Sequence, residues 1–458
     1  MKTGIEKVGF FLRCFLLLVG LSVFVLPAPV KADRSSLPIN VRVVLSKAGE
    51  LVEQKKYDQA IATLTAFQAR GKTSLAAGQS DPRGYGHPEV YFALGTCHLL
   101  NQAYGAAAQA FEEAVRRDPT LVKAWLNLAK AAYELDDYPR AARCFRKAYD
   151  QADEKDPEHL YYSAVAFLLA SRSEPCLAAF DVLFKVHGEA IQPAWRENYV
   201  HALLTAGRQR QALPHIRQLA EAYSGEKQVQ WQEILLNQYL QLEMQAEARD
   251  YALFLTRQDP LRAKWWKALT HVELNAGRYE QALVAMTVFS FLTPLDSRER
   301  KLLADLNLQV GIPVKAAPLY EIALAEKKDP RLVRSLVLAL QQLGKPGQAL
   351  EALNRFAPPG RDNPTELMML RGDLLYGLKR FREAGEAYRC AAQGGTAKEA
   401  GRAWLMAGYA ALQTDDPAAG RQALVKAATF KQHRKAALTA LRQLPKRAAG
   451  QSAGRPSL

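Results

Sequence analysis

The stretch Leu94–Pro119, LGTCHLLNQAYGAAAQAFEEAVRRDP, is followed by Leu128–Ala148, LAKAAYELDDYPRAARCFRKA, which repeats it position for position. Leu94-Gly95 aligns with Leu128-Ala129, Tyr104 with Tyr138, Ala107 with Ala141, Phe111 with Phe145 and Ala114 with Ala148. The same spacing returns in Trp266, Leu269, Tyr279, Ala282 and Pro294, and in Leu303-Ala304, Gly311, Ala316, Tyr320 and Ala323. It appears again in Gly372, Phe381, Ala384, Tyr388 and Ala391. Self-similarity at a fixed period of about 34 residues marks a repeat array, each unit one supersecondary element that buries its apolar face only by stacking on its neighbours.

Each unit reads as helix A, a tight turn and an antiparallel helix B. Ala, Leu, Gln, Glu, Lys and Arg, all good helix formers, dominate between spaced Gly and Pro, and no run alternates as a strand would. A small residue at the eighth position (Gly95, Ala129, Ala304, Gly372, Gly408) and alanine at the twentieth (Ala60, Ala107, Ala141, Ala282) let the helices approach. Aromatics at positions 17 and 24 are expected to fill the gap between units. Pro at position 32 ends helix B, because it lacks the N–H needed to continue. Gly207, Gly277, Gly311 and Gly344 in the A–B turns supply a left-handed cap.

This pattern resembles the tetratricopeptide repeat family, W-x2-L-G-x2-Y followed by A-x3-F-x2-A and P. The resemblance implies an all-α solenoid, a right-handed superhelix of about eleven helix-turn-helix repeats. These begin near Val41, Pro88, Val122, His159, Pro193, Gln228, Ala263, Ser297, Pro330, Thr365 and Gly401.

The ends differ in character. Lys2, Lys7 and Arg13 precede the apolar run Cys14–Leu26, Pro27 and Pro29 break it, and Val30-Lys31-Ala32 offers a cleavage site after Ala32. This is the pattern of a secretory signal peptide, with an uncleaved inner-membrane anchor facing the periplasm as the alternative. The expected organisation is a signal peptide over 1–32, a first unit over 33–73, a loop over 74–87, repeats over 88–434, a capping helix over 435–444 and a basic disordered tail over 445–458. Gly71 to His87, rich in Gly, Pro and Ser, reads as surface loop. Four cysteines remain beyond the leader, Cys97, Cys144, Cys176 and Cys390, with no C-x-x-C pair. All four are expected to be buried small hydrophobes, and Cys144–Cys176 is the one bridge worth testing.

Catalytic patterns are missing from the sequence. Gly71-Lys72-Thr73 echoes the end of a phosphate-binding loop, but the glycine required five residues earlier is Ala66. There is no H-E-x-x-H, no G-x-S-x-G, no dinucleotide fingerprint and no histidine pair at ligand spacing. A non-catalytic chain without cofactor or metal is expected.

The repeat register instead points to a binding face. Positions 2, 5 and 9 of helix A share one stripe. In repeats seven to nine they carry Lys264, Lys267, His271, Arg298, Lys301, Arg331 and Arg334, opposed only by Asp305, while repeats five and six place Glu197 and Glu233 there, beside Asn237, which completes the expected groove. Stacked Lys and Arg bind carboxylates through charge-assisted hydrogen bonds. The arrangement resembles the carboxylate clamp of co-chaperone repeat domains; Asn237 fits that pattern and Glu233 departs from it. His201 and His271 share the ninth position. The formal charge is +15, of which the segment Met1–Ala32 carries +3 (Lys2, Lys7, Arg13 and Lys31 against Glu6). Arg421–Leu458 holds nine Lys or Arg and no acid. Such a segment favours contact with an anionic surface. Export argues against nucleic acid as the partner.

The middle of the chain, KWWK at 264–267, RYEQAL at 278–283, TPLDSRERKLLADL at 293–306 and GIPVKAAPLYEIAL at 311–324, resembles the exported repeat proteins that accompany TonB–ExbB–ExbD energy-transduction systems. That resemblance implies a periplasmic adaptor between an energised inner-membrane complex and other envelope proteins, with no catalytic residue to carry over. The alternative is an envelope polysaccharide or lipopolysaccharide export factor, in which the basic groove guides an acidic polymer.

Overall fold

The computed structural model describes residues 37–74, 81–358, 364–394, 396–414 and 416–443. The leader at 1–32 and the tail at 445–458 lie outside the described residues. Among these the chain forms 23 α-helices, arranged as helix-turn-helix pairs in a tetratricopeptide-repeat-like fold of roughly eleven repeats. The pairs are α1 (Ile39–Glu53) with α2 (Tyr57–Ser74), α3 (Pro88–Leu100) with α4 (Tyr104–Arg117), and α5 (Val122–Glu134) with α6 (Tyr138–Gln151). Next come α7 (Pro157–Leu169) with α8 (Ser173–Val186), α9 (Pro193–Thr205) with α10 (Gln209–Ala222), and α11 (Gly225–Gln241) with α12 (Gln245–Gln258). The array goes on through α13 (Ala263–Asn275) with α14 (Tyr279–Leu292), α15 (Ser297–Gln309) with α16 (Pro313–Glu326), and α17 (Pro330–Gln342) with α18 (Pro346–Phe356). It closes with α19 (Thr365–Gly377) and α20 (Phe381–Gly394), α21 (Ala397–Leu412) and α22 (Pro417–Ala428), and the capping helix α23 (Arg434–Gln443). The chain divides into two compact halves, one ending at Leu235 and the other beginning at Leu236.

A left-handed residue marks every A–B turn from the first repeat to the tenth. Gly207, Gly277, Gly311 and Gly344 hold this place, as their sequence positions suggest. Lys55, Gln102, Asp136, Ser171, Glu243 and Lys379 hold it too, at φ of 56–61°. These turns fix the register. Helix A of repeat four begins at Pro157, two residues before His159, and that of repeat six at Gly225, three residues before Gln228. At Gly311 (φ 80°) an added Cβ would touch nothing within 4 Å. Gly311→Ala is therefore expected to cost about 1 kcal/mol through the backbone alone, read as a lower urea midpoint with an unchanged circular dichroism spectrum.

The position-24 aromatics work both between repeats, where Phe145 meets Tyr162 at 5.5 Å and Phe180 meets Tyr199 at 5.2 Å as the sequence suggests, and inside them. A Cβ on Gly95 would lie 2.7 Å from the Phe111 ring of the same repeat. On Gly372 it would overlap the Tyr388 ring, and on Gly408 the Leu424 side chain. The position-24 side chain thus fills the space that the missing side chain at position 8 leaves. Position-17 rings meet position 12 of the same repeat, Tyr138 against Tyr133 at 5.3 Å and Phe381 against Tyr376 at 5.1 Å. Between repeats, the indoles of Trp125 and Trp266 each donate to the carbonyl of the preceding proline, Pro119 and Pro260, at 2.8 Å.

Several segments depart from expectation. Helix α2 continues through Gly71 to Ser74, and Tyr85 returns from the connector to cover it, with a Cβ on Gly71 only 2.5 Å from Tyr85 Cβ. Cys97, Cys144 and Cys176 are buried, and burial pushes the Cys176 thiol up to about 12, but Cys390 is exposed. Cys144 and Cys176 are both free thiols. Arg371, only 5 % exposed, is held by backbone carbonyls. Its guanidinium donates to those of Ala357 at 2.7 Å, just past the end of α18, and of Leu353 at 3.3 Å, which also accepts from the Ala357 amide. No described helix is long and apolar enough to cross a membrane.

Candidate functional site

Within the C-terminal half, helices α13, α15 and α17 carry the basic residues of the expected groove. Lys264, Lys267, Arg298, Lys301, Arg331 and Arg334 are all exposed, as are Asn237 on α11 and His271 on α13. The buried sides of the same helices hold Trp265, Leu269, Leu303, Leu306, Leu332 and Leu336. The helical period that buries these residues presents the cations to solvent.

The face is not of one sign. Lys267 Nζ donates to Glu299 Oε1 of the next A helix at 2.6 Å, Lys301 to Asp305 Oδ2 at 2.5 Å, and Arg334 lies 2.5 Å from Glu366 on α19. The position-5 cations are therefore matched, each by a carboxylate one turn away or one repeat away. Glu299 has a second duty. It forms a capping box with Asp296, accepting from the Asp296 amide at 2.9 Å while Asp296 Oδ1 accepts from the Glu299 amide at 2.8 Å. Backbone amide bonds, led by that of Glu299, hold the Asp296 carboxyl below its usual range. Asp305 is likewise fixed twice, since Tyr320 Oη donates to its other oxygen at 2.7 Å. Tyr388 donates to Asp373 at the same register position of repeat ten, again at 2.7 Å.

Position 2 behaves differently. Arg298 and Arg331 make no ion pair among the described residues, and Lys264 at the equivalent place lies 5.7 Å from the Trp265 ring. The positive charge left without an ion pair on this face thus sits at Arg298 and Arg331, position 2 of repeats eight and nine. His271 stands beside it. Desolvation first, and then the Lys267 charge, lower its pKa against the opposing pull of Glu299. This row can bind anions, and it offers no nucleophile paired with a base. No group of three or more His, Cys, Asp or Glu suited to a metal occurs among the described residues.

The A helices of the N-terminal half are stitched to one another. Lys123 pairs with Glu89 at 2.7 Å, the rings of Tyr161 and Trp195 stack at 4.8 Å, and Asn198 donates to Tyr161 Oη at 2.8 Å. Glu197, expected to make this part of the groove acidic, is buried and meets Lys227 at 2.7 Å. A cavity of about 450 Å3 lies near the C-terminal end of the described residues, lined by Tyr409 on α21, the ninth position counted from Gly401, and by Gln432, Lys435, Thr439 and Gln443.

A tetratricopeptide repeat family model matches residues 45–121 and 126–174, which hold repeats one to three and the first part of repeat four. No curated protein matches the chain. Among solved structures it is similar to a tetratricopeptide repeat protein from Parabacteroides merdae, at 12% identity and a TM-score of 0.29 over 66% of this chain and 99% of that one. It is also similar to the Naa15/Naa10 complex bound to HypK-THB, at 12% identity and a TM-score of 0.35, covering 88% and 78%. The Cut9–Hcn1 hetero-tetramer of the APC/C matches at 13% identity and a TM-score of 0.27, covering 87% and 95%.

Proposed function

We propose that this chain is a non-catalytic protein-interaction scaffold of the cell envelope, and that the A-helix face of repeats six to nine holds an acidic segment of a partner protein. The observation that carries this reading is the pair of exposed position-2 arginines, Arg298 and Arg331, left over after the position-5 cations are matched. Exposed guanidinium groups bind carboxylates with two parallel hydrogen bonds and without desolvating a buried ion. The leader-like segment 1–32 supports a periplasmic site of action, exported or anchored in the inner membrane. The strings at 264–267 and 293–324 support a partner in a TonB–ExbB–ExbD-type complex. The basic segment from Arg421 would add weak contact with an anionic surface.

The test is the binding of a fluorescein-labelled oligoglutamate peptide, followed by anisotropy. Affinity is expected to fall several-fold as salt rises from low to about 0.3 M, where the Debye length drops below ~8 Å. An acidic polysaccharide of equal charge should compete weakly. Strong displacement by the polysaccharide would favour the polymer-export reading, and binding indifferent to salt would contradict both.

A further inference from the structure

We propose that the outer faces of α12, α14 and α16 form a self-association surface through which two copies of this chain pair. On α14, Val284 and Phe291 are two turns apart and so lie on one helix face, and Phe291 is 82% exposed. On α16, Val314, Pro318, Ile322 and Ala325 are all exposed along one stripe. On α12 the exposed ring of Phe254 stacks on Tyr251 with centroids 5.9 Å apart, and Leu261 just beyond the helix is 79% exposed. Phe254, Val288 and Ile322 occupy equivalent places in three successive repeats.

The apolar character is local. The same outward positions carry Gln109, Glu113 and Arg116 on α4, Arg143, Lys147 and Asp150 on α6, and Arg382 and Glu386 on α20. Helix B therefore has no structural need for apolar residues there. Phe254, Leu261, Val284, Phe291, Val314 and Ile322 together expose roughly 700 Å2, above the ~300–600 Å2 of the largest patch on a typical monomer and close to the ~800 Å2 per partner of a standard interface.

A second copy is the occupant that fits. An apolar patch complements itself across a two-fold axis, as a charged one does not. The margins of the stripe are mixed in sign, with Asp250, Glu280 and Glu321 beside Arg257 and Lys315, all exposed. Such a rim forms cross-pairs in a symmetric dimer, whereas its carboxylates oppose an anionic bilayer. This face is borne by B helices, so pairing leaves the position-2 row of the A helices available.

The experiment is sedimentation equilibrium on the full chain beside Val284→Glu/Phe291→Glu. The wild type is expected to dimerise at tens of micromolar. The double variant should weaken the dimer at least ~30-fold while keeping its helical spectrum, melting temperature and oligoglutamate affinity. A wild type that stays monomeric at the highest soluble concentration overturns the proposal, as does a variant that dimerises as well as the wild type. A monomeric wild type that floats with anionic vesicles, and loses flotation on the same substitutions, assigns the face to lipid instead. Dimerisation with no oligoglutamate binding would sink the groove reading alone.

Discussion

Gly372→Leu is expected to destabilise the C-terminal half by about 2–3 kcal/mol, within the usual range for overpacking a helix contact. A Cβ at this position would lie 2.5 Å from Tyr388 Cδ1 and closer still to Cε1, where no side chain can stand without displacing the ring. The ring has nowhere to go. Tyr388 is fully buried among Leu375, Ala384, Ala387 and Ala407, and its hydroxyl is held by Asp373. Overpacking of this kind costs about 1–3 kcal/mol and occasionally more. Losing the hydroxyl–carboxylate bond adds to that cost, and the better helix propensity of leucine returns about 0.8 kcal/mol. Because a repeat array need not unfold in one step, the readout is the urea midpoint of the transition that carries the C-terminal half. Tyr388→Ala in the same background makes room for the leucine. The two changes together should therefore cost at least about 1 kcal/mol less than their sum. Simple additivity would show that residues 372 and 388 do not meet.

Much of this architecture is legible in Leu94–Pro119 and its later copies, because the period recurs with small residues where helices touch. Legibility fades where spacing stretches and the turn residue changes. The starts of repeats four and six fall a few residues from their expected places, where the spacing of successive turns stretches to 35 residues (Asp136 to Ser171) and 36 (Gly207 to Glu243). Backbone strain at a polar residue leaves no signature in composition.

The groove is half legible. Register alone places Lys264, Arg298 and Arg331 on the exposed face, but it does not show which carboxylates reach across from one A helix to the next. Glu299 sits at position 3, off the stripe of positions 2, 5 and 9, and Glu366 sits at position 2 of repeat ten, beyond repeats six to nine, so neither pairing is read from the register. The string Asp296-Ser297-Arg298-Glu299 does contain a capping-box signal that marks Glu299 as a fixed residue near Lys267. Arg371 gives no such warning, since the carbonyls it serves belong to the backbone around another helix.

The most direct measurement compares two charge reversals of equal size for binding to oligoglutamate. Arg298→Glu/Arg331→Glu changes the position-2 row, where the structure leaves positive charge unmatched. Lys327→Glu/Lys328→Glu changes two exposed residues just past the end of α16. Lys267 and Lys301 are poorer probes, because their reversal would set acid against Glu299 and Asp305 and disturb the fold. Neighbouring A helices pack about 8–10 Å apart, within a Debye length at moderate salt, so the arginines act together on one bound segment. The groove pair is expected to weaken binding by at least ~10-fold, or about 1.4 kcal/mol, mainly through slower association at low salt. The helical spectrum should not change, and the control pair should cost less than ~2-fold. Equal weakening by both pairs would mean that only net charge attracts the peptide, and the A-helix face would lose its claim to be the binding site.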